Sequence, residues 1–131
     1  MESGLHIQLC NQLKQDISFL KKTYQIKRIC ASTAAACNFP SCPQMFGFIP
    51  DFFGYTRNLD FAFVGEAKTK NDILNIHTKD QINAYLRYLD PFKFKLLLFR
   101  VENEDLFRIK RLLLRSFGSK KGVFQVNAQA I

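Results

Sequence analysis

Pro50-Asp51-Phe52-Phe53-Gly54-Tyr55-Thr56-Arg57-Asn58-Leu59-Asp60-Phe61-Ala62-Phe63-Val64-Gly65-Glu66-Ala67-Lys68 is the stretch on which the reading of this chain turns. It opens on a Pro-Asp pair and, fourteen residues later, closes on Glu66-Ala67-Lys68. The apolar run Phe61 to Gly65 that precedes Glu66 predicts a strand covered on both faces. Side chains two apart on a strand share a face, so Glu66 and Lys68 project together. Asp51 can meet them from a neighbouring strand. Two carboxylates and a lysine grouped in this way point to a metal-dependent phosphodiesterase centre.

Outward from this stretch, residues 3–22 place Leu5, Leu9, Leu13, Ile17 and Leu20 at near-helical intervals. Ser3 is the predicted N-cap, and Lys21 and Lys22 suit the negative end of the helix dipole. Residues 24–30 form a weaker strand candidate; residues 31–43, rich in small residues and holding Pro40 and Pro43, read as irregular. The aromatic segment 45–53 reads as a buried strand that ends at Pro50, which cannot donate to a ladder, so Asp51 falls where the sheet opens. A turn over 54–58 and a strand over 59–68 follow. Residues 71–89 predict a helix, firmest from Thr78 onward, where Ile82, Tyr85, Leu86 and Leu89 make the apolar face, and Asp90-Pro91 stops it. Then come the strongest strand at 92–101, a helix at 104–117 closed by Gly118, and a short strand at 122–126. The element order predicts an α/β fold over a single domain, 1–131, with a central mixed sheet flanked by helices.

With 131 residues, 47% of them hydrophobic and 14 of them phenylalanine, the chain holds ample material for one core, which excludes disorder. Nineteen basic residues against eleven acidic ones leave a net charge of +8, which favours a polyanionic partner such as nucleic acid. Arg108, Arg111 and Arg115 recur at helical spacing, with Lys110, Lys120 and Lys121 nearby; they are candidate nucleic-acid contacts or else an ordinary solvated helix face. No apolar run approaches the roughly 18–20 residues that span a bilayer, and the N-terminus lacks the pattern of a signal segment. The expectation is therefore an intracellular protein, cytoplasmic or in a nucleoid or nucleus, neither secreted nor membrane-bound. Four cysteines then read as thiols; Cys37 and Cys42, four residues apart with no histidine near, make a poor zinc site.

Hydrolysis of a phosphodiester needs an activated water and neutralised charge, which Mg2+ or Mn2+ provides. Such hard cations prefer oxygen, so Asp51, Glu66 and the Ala67 carbonyl are candidate ligands. Lys68 then either orients the water and offsets charge or acts as a base. Asp60 competes with Asp51 as the second carboxylate.

Pro50-Asp51 and Glu66-Ala67-Lys68 resemble the PD-(D/E)xK motif of the restriction-endonuclease-like nuclease superfamily, and the αβββαβ order resembles that superfamily's core. Gln81 and Tyr85 resemble the Gln-x-x-x-Tyr pair of its RecB-like and lambda-exonuclease-like branch. The resemblance covers about residues 3 to 101. It implies a restriction-endonuclease-like fold and an endo- or exodeoxyribonuclease dependent on Mg2+ or Mn2+, with Gln81 and Tyr85 beside the catalytic set. It also implies an acidic ligand on the first helix, where Glu2 is nearest and Asp16 further along. A homo-oligomer or a partner protein would supply specificity.

Plainer readings stand beside these. Glu66 and Lys68 form an ion pair at a sheet margin, Gln81 closes a Thr78-x-x-Gln81 capping box, Tyr85 is core, and His77 is a loop or cap residue. On that side the protein is a nucleic-acid-binding module without strong catalysis, or an unrelated α/β interaction domain.

Overall fold

The computed structural model of the chain describes residues 3–118 and 123–129. The first helix, α1 (Gly4–Tyr24), starts where the Ser3 hydroxyl accepts the His6 N–H at 3.1 Å, and it ends at Gln25, whose φ of 54° turns the chain out of the helix. Its buried stripe of Leu9, Cys10, Leu13, Ile17 and Leu20 lies on one face of the sheet. Strand β1 (Ile26–Ala31) follows, then a stretch of irregular structure and short turns, and then β2 (Phe52–Thr56) and β3 (Phe61–Ala67).

Residues 45–48 do not form a strand; Met45 and Phe48 bridge each other around a tight turn, with Phe46 (φ 51°) and Gly47 (φ 96°) in left-handed conformations. The strand instead begins after Asp51. The turn expected at 54–58 lies at 57–60, because Gly54 is inside β2, opposite Phe63.

Gly54 is required there by packing. A Cβ on it would stand 2.4 Å from the Phe63 ring and 2.9 Å from the Arg28 carbonyl. Gly54→Ala is expected to destabilise the protein by about 1–3 kcal/mol, since neither ring nor backbone yields cheaply. A shift in the urea midpoint without a change of slope measures it.

Beyond β3, the helix predicted over 71–89 is two helices, α2 (Lys70–Leu74) and α3 (Thr78–Leu89). The break comes from Asn75, whose side chain accepts the His77 N–H at 2.8 Å and so offers the backbone a turn in place of the helix. The capping box belongs to Thr69 and Asp72 at the start of α2, not to Thr78 and Gln81. Thr78 instead donates its hydroxyl to the Asp72 carbonyl. Strand β4 (Phe94–Glu102), helix α4 (Leu106–Phe117) and β5 (Phe124–Gln129) complete the chain.

The five strands form one mixed sheet in the order β1-β2-β3-β4-β5. The pairs β1/β2 and β2/β3 are antiparallel, while β3/β4 and β4/β5 are parallel. This is the α/β architecture with a central mixed sheet that the pattern predicts. Alternation on the strands sends Phe52, Phe63, Leu96 and Leu98 to the α1 side. Phe53, Ala62, Val64, Leu97 and Phe99 go to the other side, against Ile82, Tyr85 and Leu89 of α3 and Ile109 and Leu113 of α4. Strand β3 is buried along its whole length, which explains its unbroken apolar run. Among the described residues no helix is long and apolar enough to cross a membrane.

Candidate active site

The spacing of the opening stretch is that of a hairpin. Phe52 pairs with Gly65 and Phe53 with Val64, so Asp51, one step before β2, lies beside Glu66 near the end of β3. Fourteen intervening residues are two strands and the turn between them. The Asp51 N–H donates to Glu66 Oε1 at 3.0 Å, and the Ala67 N–H donates to Asp51 Oδ2 at 2.9 Å. These reciprocal bonds lock the two carboxylates together at the mouth of the hairpin.

Alternation turns Glu66 to the face that carries Ala62 and Val64, under α3. There Tyr85 donates its hydroxyl to Glu66 Oε1 at 2.9 Å, and Lys68 Nζ sits 3.4 Å from Glu66 Oε2. Gln81, one turn before Tyr85 on the same face of α3, accepts a hydrogen bond from Lys68 Nζ. Lys68 lies just past the end of β3, where its N–H still donates to the Arg100 carbonyl at 3.0 Å. The structure thus gathers Asp51, Glu66, Lys68, Gln81 and Tyr85 in one place, with the Gln-x-x-x-Tyr spacing assigning one partner each to the lysine and the glutamate.

His6 is the residue the sequence reading passed over. It stands on the first turn of α1, and its Nε2 lies 3.2 Å from Asp51 Oδ2. Cys10, one turn on, places Sγ 3.8 Å from His6 Nδ1, and His6, Cys10 and Asp51 form a cluster of ligand-type side chains within 4.8 Å of one another. A signal was available: His6 heads the stripe continued by Leu9, Cys10, Leu13 and Ile17, so a titratable side chain sits on the buried face.

Of the other candidates, Glu2 lies outside the described residues. Asp16 is elsewhere, held in a two-pronged ion pair by Arg100 at 2.9 and 3.0 Å. Asp60 is exposed in the turn at the far end of β3, where it accepts from Asn58. His77 is exposed at the start of α3. Arg108, Arg111 and Arg115 line a separate groove. The cysteines are free thiols; Cys37 is exposed, whereas Cys42 is buried with Sγ 3.8 Å from the Asp51 carbonyl oxygen, so the two do not make a zinc pair.

These groups line an open cleft of about 730 Å³ bounded by His6, Ile49, Asp51, Glu66, Lys68 and Gln81, with Ala67 also on its wall. Burial, reinforced by the Asp51 charge, pushes Glu66 up to about 7, against the opposing pull of Lys68. The hydrogen bond to Asp51 raises His6 well above its usual range, so it is protonated through neutral pH. Burial holds the Tyr85 phenol far above its ordinary value, so it keeps its proton and donates it to Glu66.

Tyr85→Phe leaves Glu66 one donor short. The Glu66 carboxyl is then expected to titrate higher still, since a hydrogen bond to a charged group is worth about 1.5–3 kcal/mol. A carboxyl-carbon NMR titration of both proteins measures this.

Compared with models of protein families, with characterised proteins and with solved structures, the chain gives no match.

Proposed function

We propose that this protein is a metal-dependent nuclease of the restriction-endonuclease-like kind, a PD-(D/E)xK enzyme hydrolysing phosphodiester bonds of nucleic acid, DNA being the substrate the resemblance implies. The observation that carries this reading is the meeting of Asp51, Glu66 and Lys68 at one wall of an open cleft. A buried glutamate two residues from a buried lysine is costly to fold around, and a chemical task explains its presence better than packing does.

The donor set suits a divalent cation. Asp51 Oδ2 is engaged by Ala67 and His6, while its Oδ1 has no protein partner among the described residues. Asp51, Glu66, the Ala67 carbonyl and, in its neutral form, His6 would hold the ion, which is Mg2+ or Mn2+. The cation supplies Lewis-acid polarisation of the phosphoryl group and an acidified water. The chain does the rest. Lys68 points its ammonium into the cleft, steered by Gln81 and Glu66, where it orients the attacking water and offsets charge on the phosphoryl oxygens. Tyr85 and the Asp51 N–H fix the Glu66 carboxylate by two hydrogen bonds to one oxygen. The Ala67 N–H fixes that of Asp51 by one hydrogen bond to Oδ2.

The test is direct. Purified protein should cut single- or double-stranded DNA with Mn2+ or Mg2+ present and stop with chelator. A preparation that binds Mn2+ through Glu66 yet cleaves no form of DNA or RNA sinks the reading.

A further inference from the structure

We infer that the groove between α2, α3 and α4 carries a single strand of nucleic acid that runs on from the cleft, an assignment that rests on the nuclease reading and extends it to the substrate. The groove encloses about 450 Å³, its floor built from Ile73 and Leu112 and its walls from Lys79, Phe107, Arg111 and Arg115. Helix α2 joins the two sites: Asn71 and Asp72 line the cleft, and Ile73 and Leu74, the next two residues, line the groove.

Charge complementarity selects a polyanion. Arg111 and Arg115 are exposed and have no carboxylate partner among the described residues, and Lys79 faces them from α3. Arg108 differs, because buried Asp105 takes its guanidinium in an ion pair. Its charge is largely spent within the fold, so of the three arginines singled out by spacing, two are left for a ligand. Glu104 is the one acidic side chain on the groove wall.

The aromatic residue selects the strandedness. Phe107 is 77% exposed beside these cations, where no packing within the described residues accounts for it. A basic track beside an exposed ring is the arrangement that binds unpaired bases, which stack on the ring while cations follow the phosphates. Stacked bases in a duplex present no free face to Phe107.

The experiment is fluorescence anisotropy of the whole protein with a labelled oligothymidylate of about 16 nucleotides, in chelator, over a salt series. Arg111→Gln with Arg115→Gln is expected to weaken binding at least tenfold and to lower the slope of log affinity against log salt by about 1.4, two contacts at about 0.7 each. Lys79→Gln, on a different helix, should lower it by about 0.7, so the result does not hang on one altered helix. Phe107→Ala should weaken single-strand binding by about fivefold or more and leave duplex binding unchanged. Unaltered slopes in both basic variants overturn the groove as a nucleic-acid surface, as does competition by polyglutamate equal to that by oligothymidylate. A Phe107→Ala protein that binds single strands like wild type overturns the single-strand assignment. Hydrolysis of thymidine 5′-p-nitrophenyl phosphate by wild type reports separately on the nuclease reading, so failure of one is distinguishable from failure of the other.

Discussion

Lys68→Ala is expected to slow phosphodiester cleavage by about 10²–10⁴-fold, the range associated with a positioned proton-handling or charge-stabilising side chain, while divalent-cation binding persists. The lysine is buried at 6% exposure, and among the described residues its Nζ reaches Glu66 and Gln81. Removing it takes a positive charge from beside Glu66, so Mn2+ affinity should hold or rise as the rate falls. Single-turnover rates with saturating Mn2+, set beside a calorimetric Mn2+ titration, separate the two effects. A rate within tenfold of wild type would place Lys68 outside the reacting centre. Gln81→Ala, which frees the lysine without removing it, should cost less.

The second large effect is in the pH dependence of metal binding. A cation must displace the proton from Glu66, which titrates at about 7, and from His6, which is protonated through neutral pH. Below pH 7 both protons compete, so log affinity should rise by about two for each pH unit; above 7 Glu66 is already ionised and the slope should fall to about one. His6→Gln removes one competitor, leaving about one below pH 7 and a plateau above it. Proton release, measured calorimetrically in buffers of different ionisation enthalpy, checks the count. A wild-type affinity flat between pH 5.5 and 8.5 would show that neither residue ligates the ion. The metal-free protein carries the complementary signature. Glu66 titrates higher folded than unfolded, so the folded state binds more protons between its ordinary value and about 7. Stability therefore falls as pH rises through that window and is recovered on adding metal.

His6 also bears on metal choice. Imidazole suits transition metals better than magnesium, so a site that includes His6 should prefer Mn2+ to Mg2+.

Much of the site was legible because strand chemistry is local. Unbroken apolar sequence from Phe61 to Val64 announces a strand covered on both sides, and an acidic residue and a lysine at its end cannot both be there for packing. Gln81 and Tyr85 were legible as a pair through the Gln-x-x-x-Tyr resemblance, and a four-residue spacing puts both on one helix face wherever the helix lies. What each touches was not. A Gln81 closing a helix N-terminus and a Gln81 bonding Lys68 have the same sequence, and only the packing of α3 across β3 separates them. The split between α2 and α3 was missed for a related reason: the Asn75 side chain, bonded two residues on, outcompetes a helix that apolar periodicity alone would continue.

By itself, then, the sequence determined the first helix, the two central strands and the last helix, together with the chemical types at the ends of the strands: a carboxylate after a proline, a glutamate and a lysine two apart, and an apolar strand between two helical layers. Tertiary structure alone decided which of these meet. The register of the β2–β3 hairpin set Asp51 beside Glu66, and the descent of α1 across the other face of the sheet brought His6, 45 residues away in sequence, to 3.2 Å from Asp51. Gly65 eases the packing of α1 on the sheet, for a Cβ there would stand 3.3 Å from Ile17 and Phe52, tighter than an ordinary contact. Side-chain direction and spacing are encoded residue by residue, but the approach of two distant segments depends on how whole faces pack, and no local pattern contains that distance.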